Sequence, residues 1–333
     1  MALFDLSTHI TRPGMQYGEG DPYALIKAEY TGIIEKGIQE QSVLFPYLDF
    51  RTISGTNKLY SYAVGAVELQ KLEPGVAPDP TKQKYSQQEL KFDQPVISRQ
   101  AVADIDTFIH QYDERRQAAE AQAKEFAEFN DKAMFIAARK IAEMDHNLFD
   151  EDGKMGKGFH GASRVTISSA DRADPLKLLK SIKNLMVQFQ LKGIDPIKEG
   201  MTLFLGFNDF ATLLDNELLI NTDYITSVGS KVAGGWVLKP YGLKVVTTNH
   251  IPTENVSGHL LSSSLNSNWY DGDYTNTIGL LFNDKCMLCG QLYGIRTDMW
   301  FNKESKTWFV DSWECIGAGP NRCEYAGAIL QSA

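Results

Sequence analysis

DERRQAAEAQAKEFAEFNDKAMFIAARKIAEMD, residues 113–145, holds neither glycine nor proline and is dominated by Ala, Glu, Lys and Arg, the strongest helix formers. Asp113 is placed to cap its start, with Glu114 just inside, and Arg139 and Lys140 lie near the far end; both biases complement the helix dipole. Residues four apart alternate in sign (Arg116, Glu120, Lys124, Glu128, Lys132), which sets opposite charges side by side on a solvated face. A second stripe, Ala119, Ala123, Phe126, Ala133, Ala137 and Met144, interrupted by Asn130, is a narrow seam of mostly small side chains that another layer can approach closely. At 1.5 Å per residue the stretch predicts a helix about 50 Å long, several times the usual length. The seam is too weak for a coiled coil. A long helix in a chain otherwise full of strand patterns points to a spine on which sheets are hung.

Upstream, residues 1–22 are irregular and read as an arm, and residues 23–40 carry helical apolar spacing at Leu25, Ile26, Tyr30, Ile33 and Ile34, weakened by Gly32 and Gly37. Leu59–Leu69 and Gln88–Val102 then read as the two arms of a hairpin, with the Pro- and Gly-rich LEPGVAPDPTKQ as its tip. A hairpin of about 45 residues has too little apolar surface to bury by itself, so it needs something outside its own domain to lie on. That is a physical argument for assembly.

Downstream, Asp150, Asp152 and Gly153 have the look of a calcium loop, but Leu148 and Phe159 stand where the first and last carboxylates belong, leaving a solvated turn. Residues 174–252 read as an α/β lobe. Asp174 caps a helix that begins with Pro175 and ends at Gly193, Met201–Phe207 is a buried strand, Asn208 caps a second helix, and Trp236–Ile251 is a strand pair around Pro240–Gly242. Residues 253–276 are a Ser- and Asn-rich loop. From Thr277, TIGLLF, CMLCGQLYGI, KTWFVDSWECIGA and CEYAGAIL are strands expected to rejoin the spine.

The net charge of −9 argues against a dedicated nucleic-acid binder, which needs a basic surface. No apolar run is long enough to span a membrane, and the N-terminus lacks the pattern of a signal peptide. Cys286, Cys289, Cys315 and Cys323 do not form two spaced CxxC pairs, and Cys286 and Cys289, in a strand-like segment, point to opposite faces; they read as buried thiols, not a zinc site. The six histidines show no ligand spacing, GAGPNR from Gly317 breaks the dinucleotide fingerprint, and no Walker loop, HExxH or nucleophile elbow is present. No catalytic residue, cofactor or metal is expected.

Three stretches carry a resemblance: FPYLDFRTISGTNKLYSYAVGAVELQKLEPG (45–75), FDQPVISRQAVADIDTFIHQYDERRQAAEAQAKEFAEFNDKAMF (92–135), and GLKVVTTNHIP (242–252) with GPNRCEYAGAIL (319–330). Their order resembles the major capsid proteins of tailed bacteriophages, closest to the short-tailed podovirus type. The resemblance implies an α+β fold with an N-terminal arm (1–54), an extended β-hairpin loop (55–103), the first part of a peripheral domain with the spine helix (104–159), an axial α/β domain (160–275) and returning peripheral strands (276–333). It implies a non-enzymatic subunit of pentamers and hexamers in an icosahedral virion shell around double-stranded DNA. Assembly would take place in the host cytoplasm with a scaffolding and a portal protein, and without a membrane. An encapsulin-like compartment carrying enzyme cargo is the alternative, and an α/β enzyme with an unrecognised site a further rival. In such a shell the hairpin overlies a neighbour, so Glu68, Lys71, Glu73, Lys82 and Lys84 are expected to meet Glu114, Arg115 and Arg116 between subunits.

Overall fold

A computed structural model describes residues 24–67, 69–72, 75, 82–93, 95–103, 114–150, 152–153, 155–156, 158–215 and 240–332. Its helices are α1 (Ala24–Gln41), the spine helix α2 (Glu114–Ile141), α3 (Ser169–Arg172), α4 (Pro175–Leu191) and α5 (Phe207–Leu214). The first strands are β1 (Phe50–Thr52), β2 (Lys58–Val64), β3 (Tyr85–Lys91), β4 (Val96–Ala103), β5 (Ser163–Ile167), β6 (Thr202–Leu205) and β7 (Lys244–Thr247). The chain continues through β8 (Asn255–Val256), β9 (Gly272–Asp273), β10 (Thr277–Phe282), β11 (Met287–Asn302), β12 (Thr307–Pro320) and β13 (Ala326–Gln331).

The spine has 28 residues, about 42 Å at 1.5 Å per residue. It is shorter than its sequence stretch because Glu143 and Met144 bond back by only three residues, which tightens and ends the helix. Along its N-terminal half the small-residue seam packs as expected. Tyr30, Ile34 and Ile38 of α1 meet Ala119, Ala123, Phe126 and Ala127. Gly37 is what permits this approach, because a Cβ there would lie 2.6 Å from the Ala123 Cβ. The C-terminal half departs from a single-seam reading. Ala133 to Ala138 and Ile141 are all buried, because this half shares one core cluster with residues of both large sheets.

One sheet has the order β1-β11-β12-β4, the other β5-β13-β10-β6-β7. The four returning segments are therefore divided. β11 and β12 form a long antiparallel pair in the first sheet, whereas β10 and β13 join the strands of the α/β lobe. The proposed second hairpin arm is also two strands, not one. β3 pairs with β2, while β4 leaves to pair with β12. Pro95, which has no N–H for a ladder, lies in the gap between them. Arg99 of β4 clamps its cross-strand partner Asp311 with two bonds of 2.7 and 2.6 Å.

In the lobe, Asp174 caps α4 by accepting from the Leu176 and Lys177 amides, and Gly193 follows the helix at φ 78°. Asn208 is not the cap of α5; Gly206 is, because β6 ends at Leu205 and the chain turns two residues earlier. Of the expected strand pair at 236–251, residues 236–239 lie outside the described residues, and only β7 follows the turn at Pro240–Gly242. The loop at 253–276 is a built structure. β8 and β9 bridge it, and the Asp271 carboxylate accepts from the Gly258 and His259 amides and the Ser262 hydroxyl. Its lowered pKa follows from these bonds, which outweigh desolvation. All four cysteines are buried and free. Cys286 ends a short 3-10 turn instead of lying within β11, and burial pushes the Cys323 thiol up to about 12.

Candidate assembly interface

The β2–β3 hairpin has two chemically different faces. Strand alternation sends Leu59, Ser61 and Ala63 to one side and Tyr60, Tyr62 and Val64 to the other. The first face lies on the same chain. Leu59 and Leu90 rest on Gly290 and Gly319, where backbone without side chains leaves room, and Phe92 fits beside Gly290 and Gly317. The Ser61 hydroxyl donates to Asn321 Oδ1 at 2.8 Å, and Gln88 Nε2 donates to the Leu148 carbonyl at 2.7 Å. Ala63 joins Phe149 and Met155 in a small cluster of its own. At its base, what the hairpin lies on outside itself is thus the β11–β12 pair of the same chain. No local pattern signals this contact, because the glycines that receive the hairpin are about 200 residues away from it. Gly290→Val should lift the hairpin off, since the new Cβ would meet Leu59 at 2.8 Å and Phe92 at 2.9 Å. Overpacking of this kind costs about 1–3 kcal/mol. Faster amide exchange in residues 58–64 and 85–91, with the rest of the chain unchanged, is the expected readout.

The second face is exposed. Tyr62 is 71% and Tyr85 73% accessible, with Val64 and Tyr60 beside them. Past β2, Val67, Leu69 and Leu72 are also exposed, Leu69 at 96%. Large apolar side chains exposed together in this way mark an interaction surface. The signal was legible in KLYSYAV, whose larger side chains share one parity.

No protein-family model and no curated protein matches the sequence. Solved structures do. The capsid of the cyanophage P-SCSP1u is 20% identical over 86% of both chains, with a TM-score of 0.73. The mature capsid of bacteriophage PhiM1 is 13% identical over 87% of both, at 0.71. A virus-like particle from Pyrococcus furiosus is 12% identical, covers 91% of this chain and 99% of its own, and scores 0.52. The fold is that of phage capsid subunits.

On this capsid fold the residues singled out in sequence fall as follows. Lys71, Lys82 and Lys84 are exposed on the hairpin side. Arg116 is exposed at the start of the spine and pairs along its own helix with Glu120 at 3.0 Å. Glu68 and Glu73, and the side chains of Glu114 and Arg115, lie outside the described residues. The interface residues expected from sequence are all charged and do not include the aromatic hairpin face. A further exposed apolar set belongs to the lobe, with Leu176 and Leu191 at the two ends of α4 and Ile197 just beyond. His259 stacks between Phe129 and Tyr270, and burial lowers its pKa. Among the described residues no group of three His, Cys, Asp or Glu could hold a metal ion, and no helix is long and apolar enough to cross a membrane.

Proposed function

We propose that the chain is a shell subunit of a tailed-phage head, assembling as pentamers and hexamers into an icosahedral virion capsid around double-stranded DNA. The carrying observation is the exposed aromatic face of a hairpin whose other face is already seated on its own chain. A surface of this kind on a capsid fold is suited to a neighbouring copy. Its work is mechanical, not catalytic. Residues 1–54 act as the arm, 55–103 as the extended loop, 104–159 and 276–333 as the peripheral domain, and 160–275 as the axial domain. The exposed apolar side chains of α4 and Ile197 are then available at the capsomer axis. Scaffolding and portal proteins are the expected assembly partners, and the net charge of −9 suits an inner wall that does not grip DNA. The likeness to the Pyrococcus particle supports a second reading, an encapsulin-like compartment, at a lower score than the two phage capsids.

Light scattering behind size-exclusion chromatography, followed by electron microscopy with and without scaffold, should find capsomers or shells. A strict monomer at all micromolar concentrations, inert to scaffold, would sink the proposal. Nucleic acid in native particles favours the phage head, and protein cargo favours the compartment. Tyr62→Ser with Tyr85→Ser should keep the circular dichroism and melting of the wild type while lowering particle yield at least about tenfold, because each loses exposed aromatic area repeated at every contact. Arg115→Glu with Arg116→Glu should do less, since an exposed ion pair is worth about 0–1 kcal/mol.

A further inference from the structure

Beneath α1, where it crosses the spine and the β11–β12 pair, lies a cavity of about 230 Å3. Ile38, Leu44, Met134 and Ile295 give it apolar walls. Its polar lining includes two side chains from distant parts of the chain, Asn130 on the spine and Glu314 on β12. Glu314 is only 4% exposed. The Asn130 amide hydrogen-bonds its carboxyl group. Among the described residues, Glu314 Oε1 and Asn130 Oδ1 are both buried without a hydrogen-bond partner. Both are acceptors. Donors along the same wall are committed elsewhere, Ser42 Oγ to Asp131 and Gln291 Nε2 to Thr52 Oγ1. The Asp131 carboxylate is itself taken by Ser42, the Val43 and Leu44 amides and His250. Gln39, the remaining side-chain donor of the lining, is exposed, so the buried part of the cavity presents acceptors without matching buried donors. Glu35, exposed, adds a second carboxylate to its lining.

We propose that this cavity binds a primary alkylammonium group. An ammonium brings three donors and no acceptor, which complements Glu314 Oε1 and Asn130 Oδ1. Its aliphatic stem packs on Ile38, Met134 and Ile295, as lysine stems do on apolar surface. A metal ion fits less well, since among the described residues no three His, Cys, Asp or Glu are grouped closely enough to hold one. The charged groups lining the cavity with Glu314 are Asp131 of the spine and Glu35 of α1, both acidic. Burial holds the Glu314 carboxyl up at about 7, so capture of the cation displaces its proton and affinity rises from about pH 6 to about pH 8. The ammonium has two possible sources, a free amine or a lysine of a second copy.

The test is n-butylammonium chloride added to the unassembled chain, read as melting temperature against sodium chloride of equal strength. It does not depend on the shell reading. A saturable rise, larger at about pH 8 than at about pH 6, is expected. Glu314→Gln should weaken n-butylammonium at least about tenfold, as loss of one charge-assisted bond implies. Gly294→Val, where a Cβ meets nothing within 4 Å, should fill the cavity and abolish binding while keeping the carboxylate. Binding to assembled particles as well as to unassembled chain identifies a free amine; binding to the unassembled chain alone identifies a neighbour's lysine. No rise beyond sodium chloride in the wild type, or an equal rise in both variants, overturns the proposal.

Discussion

Glu314→Gln should stabilise the protein by about 3 kcal/mol at about pH 8 and change it little at about pH 4.5. Desolvation inside the α1–spine–β12 junction raises the Glu314 carboxyl from its ordinary 4.5 to about 7, against a smaller opposing effect of the Asn130 hydrogen bond. The folded chain thus holds a proton that the unfolded chain releases. Stability associated with this group is intact below the unfolded pKa, is lost as pH climbs from about 4.5 to about 7, and stays lost above. A displacement of that size, at about 1.4 kcal/mol per tenfold change in proton affinity, gives the figure stated. Glutamine keeps the shape without the charge and removes the slope. Other groups contribute slopes of their own. Glu324 is raised by burial and adds a slope of the same sign, and His259 is lowered and opposes it. The variant-minus-wild-type difference in urea unfolding, taken at several pH values, isolates Glu314. A difference independent of pH would show that the carboxyl is solvated in the folded protein.

Asp131→Ala should cost about 3–5 kcal/mol at neutral pH. Asp131 is 1% exposed. Its oxygens accept from Ser42 Oγ at 2.6 Å, from the Val43 and Leu44 amides at 2.7 and 3.2 Å, and contact His250 Nδ1 at 3.1 Å. One side chain of the spine thus fixes the exit of α1 and the segment after β7. Alanine would leave two backbone donors, one of them on fully buried Leu44, without an acceptor. Asp131→Asn should recover part of the loss, because one oxygen remains, and Ser42→Ala should cost only about 1 kcal/mol. Chemical unfolding at neutral pH measures all three. An Asp131→Ala chain within about 1 kcal/mol of wild type would mean that water replaces the carboxylate.

Local chemistry was legible in the sequence. Asp174, Pro175 and Gly193 marked both ends of α4, because caps and stops act over a few residues. The spine was legible from composition, and its N-terminal seam from spacing. Its second half was not, because Ala133–Ala138 share a core with buried residues of β6, β10, β11, β12 and β13, all from beyond residue 160, and a periodicity search sees one face at a time. The break at Pro95 had a local signal that the alternation of neighbouring residues concealed. Strand partners were illegible. Nothing within TIGLLF or CEYAGAIL says that they join β5 and β6 instead of β11. Asn130 and Glu314 carry no motif, and only the meeting of the spine with β12 makes them a pair.

The order of strands also sets a timetable. In one large sheet β1 and β4 are joined through β11 and β12, and in the other β5 and β6 through β13 and β10. Every one of these joining strands lies after residue 276. A ribosome that has made the first 276 residues has therefore released a chain with the spine but with neither sheet closed. Its hairpin base has no Gly290 or Gly319 to rest on, and Phe135 and Ile136 have only part of their cover. Pairings over such sequence distances form slowly and late. The aromatic face of the hairpin acquires its final geometry only when the last strands arrive, so competence to meet a neighbour is withheld until synthesis of residues 277–331 is done.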